Sequence, residues 1–384
     1  MNFEKSVIAL HKKSRGKLEL IPTVPIKDKK DLSLVYTPGV GIISKIISEN
    51  PERVWDLTIK SHMVAVISDG SAVLGLGNIG PDAALPVMEG KCVLLKKFAG
   101  LDAFPVCLNS QDPKDIISAV KIISPVFGGI ILEDIAAPNC FTVEEALQNL
   151  DIPVMHDDQH GTAVVVLSGM INAAKASGKD LKKMKIVVCG AGAAGTAIAK
   201  ILAEIAGDVQ VLDSKGIIYR GRWDLDIFKT NLAKITNKEN RKGDLKDALN
   251  GTDAFVGVSR KGLLKKDDIK LMAENPIVFA LANPEPEIYP DEAKKGGAFI
   301  VATGRSDFPN QVNNCLAFPG IFKGALEVRA RQITDGMKIS AANALANMVK
   351  DPNQAKIIPG PFEKNVTEVV AKAVARTAMR EKPR

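Results

Sequence analysis

Short apolar runs alternate with amphipathic stretches along the first 150 residues. MVAVIS (63–68), AFPVCL (103–108) and GIIL (129–132) each end in polar or glycine-containing sequence, as strands of α/β proteins do. Between them, 112–123 opens with Asp-Pro and sets Ile116, Ile117, Val120 and Ile123 on one face, which predicts a helix. A further helix is expected over 143–148.

The pattern changes near 151–155, where the short strand DIPVM runs into HDDQHG and then into a long apolar helix over 162–176. From there the alternation is regular. Strands are expected at 185–189, 209–212, 254–258, 277–281 and 298–302, with a helix over 195–205. Such alternation argues for a parallel sheet covered on both faces. Two helices, about 321–349 and 364–381, are expected to close the chain, with Pro359-Gly360-Pro361 between them.

Composition narrows the class. With 46% apolar and 25% charged residues over 384, the chain reads as an ordinary globular protein of two domains. The net charge of +7 is scattered (Lys27 to Lys30, Lys179 to Lys185, Arg260 to Lys266), and aromatics are only 5%, so a nucleic-acid partner is not expected. Five cysteines without C-x-x-C spacing argue against a disulfide framework and for a reducing cytoplasm. The acid-bearing N-terminus does not read as a signal peptide, and no apolar run is long enough for a membrane helix.

G-x-G-x-x-G occurs twice, at Gly75, Gly77, Gly80 and at Gly190, Gly192, Gly195. Only the second follows a strand directly, opens a helix, and is followed by a strand ending in an acid, Asp213, at the distance expected for a carboxylate on the ribose hydroxyls. A dinucleotide is therefore assigned to Gly190, Ala191, Gly192, Ala193, Ala194 and Gly195. Asp213 favours NAD, while Lys215, Arg220 and Arg222 keep NADP open. The first match lies several residues past its strand and runs at once into Pro81, and it reads as a structural turn beside a pocket. The expected architecture is an α/β catalytic domain over 1–160 and a Rossmann-type doubly wound parallel sheet over 161–384 that carries the C-terminal helices.

Glu133-Asp134 and Asp157-Asp158 stand at two strand ends that can converge on one crevice. Oxygen-rich sites of that kind suit Mg²⁺ or Mn²⁺. His156 and His160, at i and i+4, lack the third ligand that a zinc reading needs.

Eight segments carry a resemblance: SLVYTPGVG (33–41), ISDGSAVLGLGNIG (67–80), PVMEGK (86–91), LEDIAAPNCF (132–141), HDDQHGTA (156–163), the Gly190 fingerprint, ALANPEPE (280–287) and NNCLAFPGIF (313–322). In this order, over about residues 20–322, they resemble malic enzymes, and the chain length resembles the compact prokaryotic form. The resemblance implies oxidative decarboxylation of L-malate to pyruvate and CO₂ with reduction of NAD or NADP. It also implies Tyr36 as general acid, Lys91 as general base with Asp157 beside it, and Glu133, Asp134 and Asp158 around the divalent metal. Asn283, Asn313 and Asn314 would bind substrate, with Asn283 also near the cofactor. A homodimer or higher homo-oligomer is expected, the N-terminal segment reaching the other subunit.

One departure stands out. Larger members of the family carry a carboxylate-binding Arg where this chain has Ala72, so Ser71, backbone N–H groups or a lysine of a partner subunit become the candidates for that task. A metal-dependent oxaloacetate decarboxylase, a dehydrogenase of a related 2-hydroxy acid, and a nucleotide sensor that kept the fold are the alternatives. The intact fingerprint counts against the first, and the retained Tyr36, Lys91 and carboxylates count against the last.

Overall fold

The computed structural model describes residues 3–381. Two sheets organise the chain. The first is wholly parallel, in the order β2-β1-β3-β4, from β1 (Met63–Ser68), β2 (Asp102–Cys107), β3 (Gly129–Leu132) and β4 (Val154–His156). Its register sets Ile67 beside Leu132 and Leu132 beside His156, so the carboxyl ends of three strands emerge along one edge. β1 and β3 are buried throughout, as continuous apolar strands are when both faces are covered.

The second sheet has the order β10-β9-β8-β5-β6-β7, from β5 (Lys185–Cys189), β6 (Asp208–Asp213), β7 (Gly216–Ile217), β8 (Ala254–Gly257), β9 (Ile277–Ala280) and β10 (Ile300–Thr303). Only β7 is antiparallel, a short return from β6. The chain leaves β5 toward β6 on one side and later fills β8 on the other. That reversal opens a crevice at the carboxyl end of β5, where such folds take ligands.

The helix Asp157–Ala176 joins the sheets and starts five residues ahead of the expected Thr162, so that Asp157 and Asp158 occupy its first turn. Carboxylates are favoured there by the helix dipole. Its buried Val164–Leu167 belong to one apolar core that takes Val64, Val66 and Ile131 from the first sheet and Ile186, Val188 and Val256 from the second. The expected helix over 321–349 is two helices, Phe318–Glu327 and Asp335–Met348. Arg329 breaks it with a left-handed φ of 50°, and the Thr334 hydroxyl caps the second by accepting from Met337 N–H. The last helix, Val366–Glu381, folds back onto both.

The N-terminal helices Phe3–Ser14, Lys29–Val35 and Gly39–Glu49 bury no residue. No helix of the described residues is long and apolar enough to cross a membrane.

Candidate active site

β5 delivers the chain into the glycine turn. Gly190 has φ 116°, and a Cβ there would lie 2.6 Å from the Val258 carbonyl oxygen. At Gly195 an added Cβ would stand 1.7 Å from the Gly190 oxygen, so only glycine lets the helix Ala193–Ala203 come this close to the turn. Gly192 meets nothing and leaves room for a pyrophosphate at the helix N-terminus. Gly190, Ala191, Gly192 and Asp213 line one pocket of about 770 Å³. Ala194 lines the neighbouring cleft instead, and Ala193 packs on the core of the first sheet.

Asp213, at the end of β6, accepts from Arg222 at 2.6 Å and Lys229 at 3.1 Å. Burial pushes its carboxyl up, but the bonds from Arg222, Lys215 N–H and Lys229 outweigh this and hold it below the ordinary range. Arg220 points elsewhere, to the Lys238 carbonyl.

The adjoining cleft, about 530 Å³, is lined by residues that follow the carboxyl ends of strands from both sheets, β1 and β3 of the first and β8, β9 and β10 of the second. Lys91, Glu133, Asp134, Asp158, Asn283, Asn313 and Asn314 all line it, brought from five separate segments. Among the described residues, Glu133, Asp134 and Asp158 form the one group of ligating side chains close enough to share an ion, their ligand atoms within 4.8 Å of one another. Asp134 sits at φ 54° and donates its backbone N–H to Asp158 at 2.8 Å, which locks the two strand ends together. Glu133 Oε2 and Asp134 Oδ2 are buried without a hydrogen-bond partner. A hard divalent cation is the group that such an orphaned, all-oxygen donor set fits.

The electrostatics agree. Burial, then the charge of Asp158, raises Glu133 well above its ordinary value, and the same two causes push Asp134 up to about 7. Loading the site with Mn²⁺ should therefore expel protons, with affinity rising as pH climbs through about 7, because the cation competes with protons below that pH. Calorimetric Mn²⁺ titrations in two buffers of different ionisation enthalpy measure this release. Identical heats in the two buffers would contradict it.

Lys91, on the helix Gly80–Leu94, is only 7% exposed. Its ammonium pairs with Glu133 and with Asp157 at 2.5 Å, and lies 4.7 Å from the centre of the Phe318 ring. Burial drives its pKa down, yet Asp157, Glu133 and Asp158 outweigh burial and hold it above the ordinary lysine value. Asp157 is fully buried behind Lys91 and does not reach the cleft surface; its pKa is pushed up to about 6, chiefly by burial.

Two expected site residues, Ser71 and Tyr36, fall outside the cleft. The Ser71 hydroxyl donates to Asp69 at 2.6 Å and accepts from Ala136 N–H at 2.8 Å, so it braces the loop after β1 and does not line the cleft. Tyr36 is 66% exposed and also stands outside it. His160 is bonded to Glu144 at 3.0 Å, which takes it out of any zinc pair with His156. The first glycine motif is a turn: Gly77 has φ 77°, and a Cβ on Gly75 would lie 1.9 Å from the Asn283 carbonyl oxygen.

Glu144 escaped the sequence reading because Val-Glu-Glu on a helix looks like any solvated face. Its carboxylate is buried and accepts from His156 N–H at 2.8 Å, Gln159 at 3.0 Å and His160 at 3.0 Å, pinning the turn that presents Asp157 and Asp158. Burial opposes its charge, but the two histidines hold its pKa down at about 2. Glu287, fully buried, likewise accepts from Ser259 N–H and Ala282 N–H and ties the loop of Asn283 to β8.

A dinucleotide turn opening beside a carboxylate-lined cleft with a buried lysine defines a two-domain, nicotinamide-dependent oxidoreductase. Residues 15–148 match the malic enzyme N-terminal domain and 159–379 the malic enzyme NAD binding domain. The chain is 53% identical to the bifunctional malic/malolactic enzyme of Bacillus subtilis, covering 99% of this chain and 94% of that protein. It is 46% identical to the NADP-dependent malic enzyme of Halomonas elongata, over 95% and 90%. The crystal structure of the NAD-dependent malic enzyme of Thermotoga maritima superposes with a TM-score of 0.93 at 49% identity, over 96% of this chain and 98% of that one. This chain belongs to the malic enzyme family.

Proposed function

We propose that this malic enzyme oxidatively decarboxylates L-malate to pyruvate and CO₂, with NAD or NADP as oxidant and Mg²⁺ or Mn²⁺ on Glu133, Asp134 and Asp158. The observation that carries this reading is the meeting of Lys91, the three carboxylates and the three asparagines in one cleft that adjoins the Gly190 turn. When bound, the dinucleotide supplies a hydride acceptor, and the divalent ion polarises the C2 oxygen and offsets the carboxylates around Lys91.

Lys91 takes the proton of the C2 hydroxyl as C2 gives up its hydride. Depressing an ammonium toward neutrality takes burial and a nearby cation, and Lys91 has the first and stands beside the proposed seat of the second. Asp157 holds the Lys91 amine in line. Asn283, Asn313 and Asn314 orient the substrate through neutral amides, which add no positive charge to oppose CO₂ departure. Tyr36 delivers the proton to C3 of the enol that decarboxylation leaves.

Tyr36 has to reach a cleft, and the surface around it points to how. Leu34 and Ile42, both more than 60% exposed, stand on the two helices that flank Tyr36, Lys29–Val35 and Gly39–Glu49, neither of which buries a residue. The proposed working form is a homodimer in which this N-terminal segment docks on a second copy and Tyr36 acts in that copy's cleft.

The direct test follows reduced nicotinamide and pyruvate together, with L-malate and Mn²⁺, using NAD and NADP separately. Equimolar formation of both products, abolished by EDTA, is the expected result. Reduction without pyruvate would instead indicate a simple hydroxy-acid dehydrogenase, and no reduction by folded protein would overturn the assignment.

A further inference from the structure

L-Malate carries two carboxylates into a cleft already rich in them. Glu133, Asp134, Asp158 and the buried Asp157 bring four carboxyl groups, against which stand Lys91 and, when bound, a divalent ion. A dianion is held most strongly in such a place by a further cation. The side chains lining the cleft include two cations, Lys91 and Lys17. Lys91 is committed to Glu133 and Asp157. Ala72, also on the lining, has nothing to offer an anion, and the Ser71 hydroxyl is consumed by Asp69 and Ala136.

Lys17 has the opposite situation. It follows the helix Phe3–Ser14, is half-buried, and reaches over the helix Gly80–Leu94 to donate to the Pro86 carbonyl at 2.5 Å. Its ammonium takes no carboxylate partner among the ion pairs of the described residues, so donors remain free. A glycine turn precedes Lys17, and Gly90 lies beside its ammonium. Gly16 turns at φ 102°, where a Cβ would press to 2.9 Å from Glu89 Oε1, and a Cβ on Gly90 would lie 3.5 Å from the Lys17 Nζ itself. One unpaired ammonium thus stands at the cleft wall beside Gly90, one residue from Lys91 along the helix.

We infer that Lys17 is the substrate-carboxylate residue of this enzyme, binding the C1 carboxylate of malate, the one that survives as the carboxylate of pyruvate. The inference rests on the function proposed above. The choice between the two carboxylates follows from the chemistry. A cation on the C4 carboxylate would stabilise the group that must leave as CO₂, whereas a cation on C1 serves substrate and product alike. Lys17 thus contributes uniform binding and leaves the chemical step to Lys91 and Tyr36.

The test compares Lys17→Met and Lys17→Arg with the unaltered enzyme, each saturated with Mn²⁺. Lys17→Met should raise the KM for L-malate by about 10- to 100-fold, the worth of a charge-assisted hydrogen bond, with kcat and the KM for the dinucleotide little changed. Lys17→Arg should recover most of the loss. Calorimetric Mn²⁺ affinity, measured on the same proteins, should stay unaltered in both. An unchanged malate KM in Lys17→Met would overturn the inference, as would a fall in kcat with KM intact. Loss of Mn²⁺ affinity would show a structural role instead. Failure of the unaltered enzyme to form pyruvate from malate would overturn the proposed function itself, which separates the two failures.

Discussion

Lys91→Ala should lower kcat for malate oxidation by about 10²–10⁴-fold, the range that a positioned general base contributes. The loss should appear equally in kcat and kcat/KM, because the proton moves only in the transition state. A second readout separates this from simple damage to the fold. Lys91 neutralises Glu133 and Asp157 in the interior, so its removal leaves buried carboxylates unpaired and should cost the metal-free protein about 3–5 kcal/mol. The same removal takes away the one cation that competes for Glu133, so Mn²⁺ should bind the variant at least as tightly as the unaltered protein and restore much of its stability. Steady-state kinetics, calorimetric Mn²⁺ titration and thermal melts with and without Mn²⁺ measure these effects. A variant that binds Mn²⁺ and malate and still turns over within about tenfold of normal would remove Lys91 from the role of base.

Mixing two inactive variants should restore activity if Tyr36 acts across a dimer. Tyr36→Phe and Lys91→Ala should each be nearly inactive alone. In a mixed dimer with Tyr36 supplied in trans, one cleft keeps Lys91 from its own chain and Tyr36 from the partner, and that cleft is complete. About a quarter of normal activity is then expected after random re-association of equal amounts, since half the dimers are mixed and half their sites intact, as two-fold symmetry requires. If Tyr36 served its own cleft, each site of the mixed dimer would lack one residue and no activity would return. The exposure of Tyr36, and the absence of any buried residue in the helices Lys29–Val35 and Gly39–Glu49 around it, are what make the trans arrangement the expected one. Sedimentation of the unaltered chain should accordingly give a dimer. A monomeric enzyme with full activity would defeat the arrangement outright.

Much of this molecule is legible along the chain, and for local reasons. The strands Met63–Ser68, Gly129–Leu132 and Lys185–Cys189 coincide with the expected runs because fully buried parallel strands need continuous apolar sequence, a pattern that tertiary context rarely overrides. The Gly190 fingerprint is local as well. Its glycines are demanded by a φ of 116° and by approaches of 2.6 and 1.7 Å that no side chain tolerates. Asp112 capping the helix Pro113–Ile123 by accepting from Lys114 N–H is a third case of a signal contained within a few residues.

Folding adds what the chain cannot show locally: groups whose role depends on distant partners. Helix ends moved by several residues at Asp157 and at Arg329, because docking and capping, rather than periodicity, set where a helix starts and stops. Ser71 looked available and is spent on Asp69 and Ala136, while Glu144 looked like a solvated acid and is the buried clamp on the turn of Asp157 and Asp158. Lys17, a cation near the chain start, reaches the cleft because the left-handed turn at Gly16 lays its segment against another some 70 residues away. The α/β class, the dinucleotide turn and the kinds of side chain its chemistry needs can be read along the chain, since they follow from patterns a few residues long. Which side chains meet, which are already satisfied, and which charge stays free for a substrate are sums over non-local contacts, and only the folded arrangement performs that sum.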